Sequence, residues 1–75
     1  MEIIDTKTVE LLRKYLKKGV RVECKKMNDP YHPVPVGTKG TVEYVDDAGS
    51  IHVKWDNGSG LNLIPFEDEF KVLEK

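Results

Sequence analysis

Pro35-Val36-Gly37-Thr38-Lys39-Gly40-Thr41-Val42, followed after an acidic turn by Ile51-His52-Val53-Lys54-Trp55-Asp56-Asn57-Gly58, is the stretch that decides the fold. Gly37 and Gly40 flank a tight entry into a strand. Ile51, Val53 and Trp55 alternate, so they share one face of the next strand. Asn57-Gly58 is a strong hairpin signal, because both central residues of a type I′ turn need positive φ. Trp55 then belongs to the inward stripe and fills much of a small core. Asp56 and Asn57 are expected to bond back to their own backbone and shape the turn.

Working outward, Val20 to Met27 reads as the first strand, with Val20, Val22 and Cys24 inward and Arg21, Glu23 and Lys25 outward. Residues 28–40 form a long loop whose prolines and glycines bar it from a sheet interior. Further strands are predicted near 41–46, 50–56, 60–64 and 69–73. Asp46-Asp47-Ala48-Gly49 and Asn57-Gly58-Ser59 supply the turns, and Pro65-Phe66-Glu67-Asp68 a single 3₁₀ turn. A long loop after strand one, two tight hairpins, a short helical turn and a closing strand is the order of a five-stranded SH3-like barrel. The expected fold class is therefore mainly β, with one helix packed on that barrel.

The helix is predicted over residues 6–18. Asp5 or Thr6 caps its start, Lys17 and Lys18 suit its C-terminal end, and Gly19 stops it. Leu11, Leu12, Tyr15 and Leu16 make its apolar stripe. The organisation read here is a helix in residues 1–19 and a barrel in 20–75, together one compact domain.

With 75 residues the chain buries only about 60% of its unfolded surface, so its stability margin is thin. Net charge is −1, which gives no bulk case for nucleic acid or membrane affinity. The charge is uneven. Residues 1–27 hold eight basic and four acidic groups, whereas residues 28–75 hold four and nine. The single cysteine, Cys24, rules out an intramolecular disulfide and suits a reducing cytoplasm. No apolar run is long enough to span a bilayer, and the first residues lack the apolar core of a signal peptide.

Catalytic and metal chemistry find little support. Ser50 and Ser59 lie in or beside turns, and no nucleophile elbow is present. Cys24, among inward valines, reads as an inert buried thiol. Cys24, His32 and His52 lack paired metal-ligand spacing, and no cofactor motif occurs. His52 is expected on the outward face, exposed to solvent. Glu67, Asp68 and Glu69 read as a solvated acidic turn.

Binding is the expected activity. Asn28, Asp29, Tyr31, His32 and Pro33 form the candidate partner site, since prolines lower the entropic cost of presenting a surface. The alternative for the same loop is a cap over the barrel end, made by Tyr31 and Pro33. A second reading is a nucleic-acid surface of Arg13, Lys14, Lys17, Lys18, Arg21, Lys25 and Lys26. A third is self-association through the helix. A protein or peptide partner is favoured over nucleic acid.

From Val20 to Leu73 the chain resembles the domain-of-unknown-function family 4314. The residues that carry the resemblance are Met27-Asn28-Asp29-Pro30, Pro33-x-Pro35-x-Gly37-x-x-Gly40-Thr41-Val42, Asp47-x-Gly49-x-Ile51-His52-Val53-x-Trp55-Asp56-Asn57-Gly58-Ser59 and Leu61-x-Leu63-Ile64-Pro65. The resemblance implies an origin in Firmicute phages, prophages or conjugative elements, and it carries no established activity. Gly-x-x-Gly-x-Val followed by Val-x-Trp-Asp-Asn-Gly is similar to the peptide-binding Mib-Herc2 repeat, which implies a barrel hairpin and peptide recognition. The helix, residues 6–18, lies outside this resemblance.

Overall fold

The computed structural model describes residues 5–29, 31 and 33–73. Helix α1 (Thr6–Tyr15) precedes strands β1 (Arg21–Lys26), β2 (Lys39–Val45), β3 (Ile51–Trp55) and β4 (Glu69–Val72). The strands form one antiparallel sheet in the order β3-β2-β1-β4. The fold is thus mainly β, with four strands in the sheet where five were expected. The strand predicted at 60–64 is reduced to a single bridge, Leu63 to Ile51, and among the described residues the sheet stays open. Ser59 and Gly60 bring no apolar side chain there, so Leu63 is fully buried and Leu61 only partly packed against the core.

One face of the sheet carries the core. Val22, Cys24, Val42, Val45, Ile51, Val53 and Trp55 are buried on it, and Val9, Leu16, Val34 and Leu63 close over them. Trp55 is 2% exposed, and its indole Nε1–H donates to the Leu61 carbonyl at 2.7 Å. Gly40 is obligatory beside it. A Cβ there would stand 2.6 Å from Val53 Cγ1 and 2.8 Å from Trp55 Cε3. A bulge at Glu43 shifts the β2–β3 register between Val42 and Tyr44, which lets Val42 and Val45 both point inward despite their odd spacing.

Both turns depart from the type I′ hairpin. Gly58 N–H donates to the Trp55 carbonyl at 3.0 Å, so the central residues are Asp56 and Asn57, and neither has positive φ. Gly58 follows at φ 88°, and Gly49 plays the same part at φ 87° after Asp46-Asp47-Ala48. The Asn57 side chain accepts from Ser59 N–H as expected. Asp56 does not bond to its own turn. Its carboxylate takes both terminal nitrogens of Arg21, at 2.9 and 2.6 Å, which ties the turn to β1.

The helix is shorter than residues 6–18. Asp5 caps its start by accepting Thr8 N–H at 2.8 Å. Leu16 leaves helical geometry, and Lys17-Lys18-Gly19 turns the chain so that Gly19 N–H reaches the Val42 carbonyl. Its buried face is Val9, Leu12 and Leu16, spaced i, i+3, i+7. Leu11 and Tyr15, expected inside, are 55% and 68% exposed. Arg13 fixes the other side of the helix to the β2–β3 turn, donating to the Val45 carbonyl at 3.0 Å and to Asp47 at 2.7 Å.

Candidate functional site

The loop after β1 folds back in two parts. Its second half seals the sheet: Cys24 N–H donates to the Thr38 carbonyl, Gly37 N–H to the Cys24 carbonyl, and Val34 is buried. The Cys24 thiol donates to the Val34 carbonyl at 3.4 Å, and burial pushes its pKa up, so it is a poor nucleophile. Val34 N–H points at the Met27 sulfur. The cap over this end is therefore Val34. Tyr31 and Pro33, expected in that role, are exposed.

The first half of the loop forms one wall of a cleft of about 310 Å³. Asn28, Asp29 and Tyr31 stand on this side, and Asn62, Glu67 and Asp68 on the other, with Met27, Leu61 and Ile64 supplying apolar lining. The two walls are joined by one carboxylate. Asp68 Oδ1 accepts the Asn28 N–H at 2.7 Å and its Oδ2 accepts the Ile64 N–H at 2.8 Å. Asp29 closes a local turn by accepting Tyr31 N–H at 2.8 Å. Tyr31 itself is 83% exposed at the rim.

Phe66 is the residue that sequence reasoning missed. It lies in the turn between Ile64 and Asp68, 75% exposed, with φ 73°. The turn is held by Glu67 and Asp68 N–H groups donating to the Ile64 carbonyl, not by a 3₁₀ helix. Among the described residues it is the one non-glycine with positive φ. A bulky aromatic in that region is strained, and such strain concentrates at binding sites. The signal in the sequence was a large aromatic between Pro65 and three acids, where a glycine would suit the backbone.

Of the predicted partner-site residues, Asn28, Asp29 and Tyr31 line the cleft, Pro33 is exposed outside its lining, and His32 lies outside the described residues, as does Pro30. The basic residues of the second reading do not form one uncommitted patch. Arg13 is bound to Asp47, Arg21 to Asp56 and Lys25 to Glu23 at 2.7 Å. Lys14, Lys17, Lys18 and Lys26 are exposed.

His52, expected free in solvent, is half-buried and engaged. Its ring stacks on Tyr44 with centroids 4.1 Å apart, and its Nε2 lies 2.9 Å from Asp46 Oδ2. That contact, with Ser50 and Ala48 N–H groups on the other oxygen, holds the Asp46 carboxyl below its ordinary range. The group braces a hairpin. Among the described residues no three His, Cys, Asp or Glu side chains gather as metal ligands would, and no helix is long and apolar enough to cross a membrane.

No curated protein and no solved structure matches this chain. The family model described as "Domain of unknown function (DUF4314)" matches residues 5–73, and so takes in helix α1, which the resemblance from Val20 onward had left out. With every described residue inside that match, this protein belongs to the DUF4314 family.

Proposed function

We propose that this chain is a small non-enzymatic binding module that takes up a protein or peptide segment in the Tyr31 cleft. The observation that carries the reading is the cleft with the exposed Tyr31 in its lining, one wall of which comes from the turn that also holds the exposed, strained Phe66. Exposed aromatics on a braced backbone are the groups that dominate binding energy at protein interfaces. The acids around the cleft, Asp29, Glu67 and Asp68, with the apolar Met27, Leu61 and Ile64 behind them, suit a segment pairing Lys or Arg with apolar residues. The connectivity supports a small SH3-like barrel as the scaffold: β1, β2 and β3 follow one another in the sheet, Leu63 bridges to β3, and β4 returns beside β1. The module works in the cytoplasm, which its single cysteine suits, and originates from a bacterial phage or other mobile element, which its family resemblance implies.

Selection of displayed random peptides on the folded protein tests this. Enriched peptides should place Lys or Arg beside apolar residues. Tyr31→Ala should weaken them by about 2 kcal/mol, roughly thirtyfold, with an unchanged melting temperature. Selection without enrichment, or affinity indifferent to Tyr31, refutes the reading. Duplex or single-stranded DNA binding that falls steeply with salt and depends on Lys17, Lys18 and Lys26 would replace it.

A further inference from the structure

Strand β4 is an edge. Among the described residues no strand pairs with its outer side. The direction of its hydrogen bonds follows from its partner. Leu73 N–H donates to the Arg21 carbonyl, and Lys71 faces Glu23, so the odd residues of β4 bond to β1. Phe70 and Val72 therefore turn their N–H and C=O groups outward. Their side chains sit on the core face, where they line a groove of about 260 Å³ with Leu11, Leu12 and Tyr15 of α1. Glu69 and Lys71 lie on the opposite face.

We propose that this edge is a self-association surface: two copies pair their β4 strands antiparallel about a two-fold axis through Phe70. The charge pattern selects this occupant and this register. Residues opposite one another in an antiparallel pair share a face, so the two-fold must centre on a residue of β4. Centred on Lys71, it sets like charges opposite each other. Centred on Phe70, it sets Glu69 of each copy opposite Lys71 of the second copy, twice by symmetry. Phe70 then exchanges two main-chain hydrogen bonds with Phe70 of the second copy. The two grooves, with Leu11 and Tyr15, become one continuous apolar face.

Sedimentation equilibrium from 10 µM to 1 mM (on the order of the range in which small interfaces associate) should show a monomer–dimer equilibrium. Amide exchange at Phe70 and Val72 should slow as concentration rises. Glu69→Lys alone and Lys71→Glu alone should each weaken self-association by about tenfold or more, since two attractive cross-strand pairs become repulsive. An equimolar mixture of the two variants should dimerise, because every pair in the mixed dimer is attractive again. Lys71 also faces Glu23 and Glu69 faces Lys26, so the melting temperature of each variant is measured. If either fails to fold, the wild-type exchange measurement decides. A monomer at all concentrations overturns the proposal. So does a dimer whose Phe70 and Val72 amides exchange at a rate independent of concentration, or one that both single variants leave intact.

Discussion

Gly40→Ala is expected to be among the most damaging single-methyl additions this chain can receive. The new Cβ would lie 2.6 Å from Val53 Cγ1, 2.8 Å from Trp55 Cε3 and 3.1 Å from the Lys54 carbonyl oxygen. None of the three can yield cheaply. Val53 and Trp55 are buried, the carbonyl belongs to β3, and moving the indole strains its bond to Leu61. Overpacking a tight core costs about 1–3 kcal/mol, and contacts this short place the variant at the upper end. A 75-residue domain has on the order of 4–11 kcal/mol to lose. The melting temperature should fall by more than about 10 °C, at roughly 4–8 °C per kcal/mol for a domain of this size. Urea unfolding followed by the fluorescence of Trp55, the one tryptophan, reads the loss directly. A midpoint within about 0.5 kcal/mol of wild type would show that β2 and β3 do not approach as closely as this, and the account of the core would fail.

Gly58→Val should cost more than about 1 kcal/mol although its surroundings are open, because only the backbone at φ 88° opposes it; equal stability by the same unfolding assay would contradict the turn. Leu12→Asp with Leu16→Asp should lower the melting temperature sharply, whereas Leu11→Asp should not, and the reverse would mean the helix buries its other face. Phe66→Gly should leave stability equal or raise it by up to about 1 kcal/mol, since the strain disappears and little packing is lost, while peptide affinity falls. The Asp46 carboxyl is held low by His52 and two turn amides. A depressed acid stabilises the fold above its unfolded pKa and loses that contribution as pH falls through the folded value. Asp46→Asn should therefore reduce stability at neutral pH and flatten the loss below about pH 4; a melting temperature that follows pH as wild type does would refute the brace.

Much of the fold was legible because it rests on period-two alternation and on a few stiff residues. Val22 and Cys24, then Ile51, Val53 and Trp55, are inward as their spacing predicts. What failed was local and had tertiary causes. The bulge at Glu43 breaks alternation in β2, and nothing in Val42-Glu43-Tyr44-Val45 marks it. The helix stripe was misplaced because Leu11, Leu12, Tyr15 and Leu16 are all apolar. The sheet, by covering Val9 and Leu16, chooses which side is buried. Asp56 was read as a turn former because aspartate so often is one. Arg21 reaches it from 35 residues away, and a bidentate pair outweighs a local bond.

The cleft was half legible for the same reason that its other half was hidden. A proline-rich loop with an aromatic announces itself in the sequence, and Asn28, Asp29 and Tyr31 do line the cleft. The facing wall looked like a solvated acidic turn, since nothing local distinguishes Asp68 from Glu67 or Glu69. Its distinction is long-range: one carboxylate takes an amide from each wall, 40 residues apart in the case of Asn28. That double acceptance ties the walls together and, through Ile64, anchors the turn in which Phe66 has positive φ. Elsewhere in the described chain the left-handed positions are glycines, and the large core residues are covered. Phe66 breaks the first rule, and like Tyr31 it leaves its ring exposed. Folding alone would favour a glycine at 66, so the aromatic is the position at which stability and the proposed binding should part most clearly.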